Sequence, residues 1–134
     1  MSDNPVAIVT GGSRGVGAAT ARMLSENGWN VVITCSSSLK DADQVAKNCT
    51  NENAEVVALQ ADVSKDLECI ATINKAIEKW GRIDALINNA GTTKFAWDHS
   101  DLDSLTAEDF QYIYGVNVVG PFQMVKAAKE HLLK

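Results

Sequence analysis

The run Thr10-Gly11-Gly12-Ser13-Arg14-Gly15-Val16-Gly17 sets four glycines beside one cation, and its flanks decide what such a run can hold. The apolar stretch Val6 to Val9 precedes it, and Val16, Ala19, Thr20, Met23 and Leu24 follow at helical spacing. A turn between a buried strand and a helix start presents unpartnered N–H groups at the positive end of the helix dipole, which favours a phosphate. The pattern is T-G-x-x-x-G-x-G. No register yields G-x-G-x-x-G, and no G-K-[ST] follows that would make a P-loop. Gly11 is expected to permit the turn, Gly15 the close approach of a diphosphate, and Gly17 the packing of the helix on the sheet. Gly12, Ser13, Arg14 and Val16 complete the set of binding candidates here.

Three further places carry residues able to contact a ligand. Asp62-Val63 follows a third apolar run, where the carboxylate serves either as a contact or as an ordinary strand-end or helix-capping group. Asn88-Asn89-Ala90-Gly91 follows a fourth, either as a strand-terminating turn or as a twin amide beside a ligand at the sheet's switch point. Asn117 stands among Phe110, Ile113, Tyr114, Val118, Phe122 and Val125, where an unpaired amide costs free energy. Pro121, four residues on, has no N–H for the carbonyl of Asn117 and is expected to loosen the helix there.

The elements that position these residues alternate along the chain. Strands are expected at 6–9, 31–35, 55–61 and 83–87, and helices after Gly15, over 41–48, through the face Leu67, Ile70, Ile73, Ile77 and Trp80, and from about Ala107, capped by Thr106, to the end. Gly28 and Gly81 sit where helix ends favour a left-handed residue. Strands that are unbroken apolar runs require cover on both faces, so the fold class is α/β: a doubly wound parallel sheet in one domain over 1–134.

Composition narrows the function. Twelve basic residues against 17 acidic ones give the 134-residue chain a net charge of −5, which argues against nucleic acid as a partner. No apolar run approaches the ~18 residues of a membrane span. Met1 to Pro5 lack the basic and apolar regions of an export signal, so a cytoplasmic location is expected. Cys35, Cys49 and Cys69 show no C-x-x-C spacing, and His99 and His131 cluster with no other ligand type, so no metal site or disulfide framework is expected.

With these motifs in this order, the chain resembles the N-terminal part of a short-chain dehydrogenase/reductase, of the 3-oxoacyl reductase-like kind. Residues 10–17 match that family's cofactor loop, Asp62-Val63 its adenine-contact pair, Asn88 to Gly91 its N-N-A-G, and Asn117 its catalytic-site asparagine. The resemblance spans the whole chain but about half of a family member. It implies a Rossmann-type dinucleotide-binding domain over 1–134, incomplete at its C-terminal side, and hydride transfer between a nicotinamide and a carbonyl or alcohol, with Asn117 holding a water in a proton relay.

Selection of NAD commonly uses an acid about 20 residues past the glycines, at the end of the second strand. Here Thr34-Cys35-Ser36-Ser37-Ser38 stands there instead. Hydroxyls at Ser36 and Ser37 can donate to a 2′-phosphate, and Arg14 supplies a cation at a position used by NADP-preferring members, so NADP(H) is expected, with NAD(H) the weaker alternative.

The family's Tyr-x-x-x-Lys is missing. Tyr112 is followed four residues on by Val116 and Tyr114 by Val118. The catalytic Ser, Tyr and Lys would lie beyond Lys134, and in the family's sheet order, 3-2-1-4-5-6-7, the fourth strand would become an edge with the final helix half covered. Completion by another polypeptide or by a missing C-terminal half, truncation of a longer product, or self-association as a homo-oligomer is therefore expected. The chain alone is then either the cofactor half of an NADP-dependent reductase, whose completed form takes a small carbonyl or alcohol, or a non-catalytic NADPH-binding or regulatory module, or an inert fragment.

Overall fold

The computed structural model describes residues 3–134, so Met1 and Ser2 of the segment read above for an export signal lie outside it. Four strands, β1 (Val6–Val9), β2 (Asn30–Cys35), β3 (Val56–Gln60) and β4 (Ala85–Ile87), form one parallel sheet in the order β3-β2-β1-β4. Register places Val6 opposite Asn30, Ala7 opposite Ala85 and Val31 opposite Val56. Helices α1 (Gly15–Glu26), α2 (Leu39–Cys49) and α3 (Asp66–Trp80) make the crossovers. Residues 107–132 then form α4 (Ala107–Tyr114), a π-helical turn (Gly115–Val119) and α5 (Gly120–Leu132).

Every residue of β1 and β2 is buried because both sheet faces are covered. Val6, Ile8 and Val32 meet Cys69, Ile73, Ala76 and Trp80 of α3 and Met124 and Ala128 of α5. On the other face Val9, Val31, Ile33 and Cys35 meet Ala21 of α1 and Ala42, Ala46 and Cys49 of α2. The doubly wound architecture expected from the apolar runs is therefore present. The three cysteines are free and buried, and burial pushes the Cys69 thiol up to about 11, which makes it a packing group.

Several local expectations need correction. Helix α2 begins at Leu39, not Asp41, because the Ser38 hydroxyl accepts the Asp41 N–H and caps it. β3 and β4 are shorter than their apolar runs. On α1 the buried positions are Gly17, Ala21 and Ser25, while Val16 and Met23 point outward, 74% and 68% exposed. Small residues face the sheet and bring the helix close. On α3 Cys69, Thr72, Ile73, Ala76 and Trp80 are buried, whereas Leu67 and Ile70 are turned to solvent. The final helix is not continuous. Its loosening takes the form of a π turn one residue before α5, in which the Gly120 N–H reaches the Gly115 carbonyl and Pro121 falls in the first turn of α5.

As expected, β4 ends the sheet and α5 is half covered. Met124 and Ala128 pack inward, while Phe110, Tyr114, Phe122 and Val125 form an exposed apolar ridge. Among the described residues no helix is long and apolar enough to cross a membrane.

Candidate functional site

The glycine turn is fixed by three side chains. Thr10, buried at the end of β1, uses its hydroxyl oxygen to accept the N–H groups of Asn89 (3.1 Å) and Ala90 (3.0 Å). The Asn89 amide in turn donates to the Gly11 carbonyl at 2.9 Å. From the other side Thr34 accepts the Gly11 N–H on its hydroxyl (3.3 Å) and the Gly12 N–H on its carbonyl (2.8 Å). Both neighbouring strands thus hold the turn, and its buried polar groups are paired.

Glycine at Gly11 and Gly17 shapes the turn directly. Gly11 has φ +68°, and at Gly17 a Cβ would stand 2.2 Å from the Gly11 carbonyl oxygen and 2.6 Å from Asn89 Nδ2. Gly17 therefore packs against the turn itself, more directly than against the sheet as expected. At Gly15, φ +57°, a Cβ would meet nothing within 4 Å. Arg14 provides no side-chain cap to α1. The helix start accordingly opens onto free space with its leading N–H groups uncapped, which is what a phosphate needs.

A cavity of about 460 Å³ lies in front of the turn, at the C-terminal ends of the strands. It gathers candidates from four separate segments: Gly11, Ser13 and Arg14; Ser36 and Ser37; Asp62 and Val63; and Asn89, Ala90 and Gly91. Gly12, Gly15, Val16 and Asn117 are not on its wall. Gly12 packs behind the turn, where a Cβ would strike Ile33. Val16 is exposed on α1.

Asp62 is held before any ligand arrives. Its Oδ1 accepts the Ser64 N–H (3.0 Å) and hydroxyl (2.6 Å), and its own N–H donates to Glu68 Oε1 (3.0 Å). Asp62 thus closes a turn at the strand end and does not cap α3, whose N-cap is Lys65, and its Oδ2 is left with no partner among the described residues. Asn117 is exposed and not enclosed, because the apolar residues around it form the uncovered ridge. Its amide cost is met instead by Thr92, whose N–H it accepts at 2.8 Å and to whose carbonyl it donates at 2.9 Å. Since Thr92 borders the cavity, Asn117 acts on it through that loop. Phe95 and Trp97, 75% and 93% exposed, stack on each other at 5.7 Å and do not reach the cavity wall.

The cavity wall also includes Ser38 and Thr92, and with them Thr34, Cys35, Asp41 and Tyr112, which the sequence did not mark as binding candidates. Thr34 and Cys35 could have been found as the last residues of a strand ending at the glycine turn. Asp41 resembled any acid in a helical first turn. Burial, and after it the charges of Asp43 and Asp41, raise the Cys35 thiol, so it is no ready nucleophile.

Known proteins share this arrangement. A 3-oxoacyl-[acyl-carrier-protein] reductase of Synechocystis is 37% identical over 129 residues, covering 96% of this chain and 51% of that protein. A short-chain dehydrogenase of Burkholderia cenocepacia, solved in complex with NADP, superimposes with a TM-score of 0.87 at 34% identity, over 96% of this chain and 51% of that one. An alcohol dehydrogenase from the archaeon Thermococcus sibiricus, complexed with 5-hydroxy-NADP, gives 0.84 at 30% identity, over 97% and 54%. The chain spans about half the length of the curated relatives it matches. Its residues 5–134 fit the sequence profile described as short chain dehydrogenase, and with the stitched glycine turn at the head of a 3-2-1-4 sheet they show that the chain belongs to the short-chain dehydrogenase/reductase family.

Proposed function

We propose that this chain binds NADP(H) and forms the cofactor-binding part of an oxidoreductase acting on a small carbonyl or alcohol substrate. The observation that carries the proposal is the uncapped start of α1, with open space at Gly15, next to a cavity that Gly11, Ser13, Arg14, Ser36 and Ser37 line. The N–H groups at the start of α1 take the diphosphate. Arg14, with the hydroxyls of Ser36 and Ser37, takes the 2′-phosphate. The free Asp62 Oδ2 accepts from the adenine amino group, and the backbone of Val63 assists. Asn89, Ala90 and Gly91 flank the nicotinamide end, and Asn117 steadies it through Thr92. With its side chain already committed to that loop, Asn117 offers its backbone to the water of a proton relay.

When bound, the nicotinamide supplies or accepts the hydride. The acid for the substrate oxygen is not among these residues, since neither Tyr112 nor Tyr114 is followed by lysine four positions on. We infer that catalysis draws on further sequence of the same protein or on another polypeptide that carries these residues, either of which would cover β4 and the ridge of α4 and α5. The missing Tyr-x-x-x-Lys equally favours a second reading, a module that binds NADPH without turning it over. Calorimetric titration tests the core proposal: NADPH binds more tightly than NADH, and Arg14→Ala weakens NADPH about tenfold or more while sparing NADH. Equal affinity for the two nucleotides, or an unchanged NADPH affinity in Arg14→Ala, overturns it. Turnover of NADPH with small ketones by the 134 residues alone contradicts the division of labour.

A further inference from the structure

Besides Asp62, whose Oδ1 is held by Ser64, the cavity wall carries one cation and one anion that do not pair with each other. Arg14 reaches it from the glycine turn and Asp41 from the first turn of α2. Neither the guanidinium nor the carboxylate makes a hydrogen bond or ion pair among the described residues. The Asp41 N–H donates to Ser38 Oγ at 3.4 Å, which fixes the residue at the helix start beside Ser36 and Ser37. Its charge is felt at the cavity wall, where it acts on the Cys35 thiol.

Such a carboxylate occupies the position at which the α2 dipole is most hospitable to negative charge. A phosphate arriving at the same end of the cavity is drawn by Arg14 and opposed by Asp41. A ribose with a free 2′-hydroxyl brings no charge and feels neither. We propose that Asp41 is a specificity-determining residue, a carboxylate that opposes Arg14 and holds down the preference for a 2′-phosphorylated nucleotide over its unphosphorylated counterpart. The inference rests on the nucleotide reading of the cavity. It identifies an acid that sets the preference from the following helix, where no acid stands at the end of β2.

The test compares Asp41→Asn and Asp41→Ala with the unaltered protein, each titrated calorimetrically with NADPH and NADH. Thermal melts confirm that the exposed substitutions leave the fold intact. Screened repulsion between a carboxylate and a phosphate near the surface predicts that NADPH tightens roughly three- to tenfold while NADH does not, with a gain that shrinks as salt is raised. Adenosine 2′,5′-bisphosphate should repeat the gain, and 5′-AMP should not. A ratio of NADH to NADPH dissociation constants that is unchanged in both variants, or that moves towards NADH, overturns the role of Asp41. If that happens in a protein that binds NADPH, the cofactor assignment survives; if the unaltered protein binds neither nucleotide, both fall.

Discussion

The glycine turn and the α4–α5 ridge are opposite uses of apolar sequence. Around the turn, Val6 to Val9 and Val31 to Ile33 are wholly inaccessible, and Thr10, Thr34 and Asn89 pair the polar backbone that the turn exposes. Along the ridge, Phe110, Tyr114, Phe122 and Val125 are as apolar as anything in the sheet, yet each is at least half exposed. Apolar spacing reports the capacity to be covered, whereas cover depends on a neighbouring element. Only the first region is covered among the described residues.

The sharpest way to break the comparison is Gly17→Ala. Its methyl group would collide with the Gly11 carbonyl and the Asn89 amide, both fixed by hydrogen bonds. A loss of about 3 kcal/mol in a denaturant melt is expected, together with loss of nucleotide binding. A near-normal melt would mean that the turn yields more easily than its hydrogen bonds imply.

Next comes a pair of substitutions on opposite faces of α5. Met124 is fully buried against α3 and the sheet, so Met124→Ala should cost roughly 2–3 kcal/mol through the cavity it leaves. Phe122, 65% exposed, should lose under about 0.5 kcal/mol on change to alanine. Comparable losses at both positions would show that the ridge is covered in solution, and analytical ultracentrifugation would then reveal the second copy.

The smallest effect concerns the far end of β1. Asp84 accepts from Arg82 and from the Val6 N–H, and the Arg82 guanidinium foremost holds its carboxyl below the usual range. A carboxyl lowered on folding stabilises the protein above its unfolded pKa, and that contribution is lost as pH falls through the folded value. Asp84→Asn should therefore cost about 0.5–1 kcal/mol near neutrality, and the difference from the unaltered protein should close below about pH 4. A gap that persists in acid would assign the loss to packing.

Strand existence and class were legible because runs such as Val6 to Val9 demand cover on two faces and the glycines punctuate them, whereas the order β3-β2-β1-β4 was legible only through the family resemblance. The inward faces of α1 and α3 were not, because Gly17, Ala21, Cys69 and Thr72 are small or polar and do not register as core beside Met23 or Leu67. For the site, spacing gave the four segments that converge, and Pro121 signalled a loosened helix without disclosing a π turn. Asp41 stayed hidden because its importance comes from Ser38 starting the helix two residues earlier than the apolar pattern indicates. Asn117 was noticed for its cost in an apolar setting, while its actual partner, Thr92, is 25 residues away in the chain.

The Thr10 hydroxyl binds residues 79 and 80 positions further along. The glycine turn therefore acquires its final shape only after the fourth strand has docked, a long loop closure that slows assembly. Nucleotide affinity then becomes a gauge of complete folding: a molecule whose first βαβ unit has formed alone should have little grip on the coenzyme, and saturating coenzyme should stabilise the entire sheet as one unit.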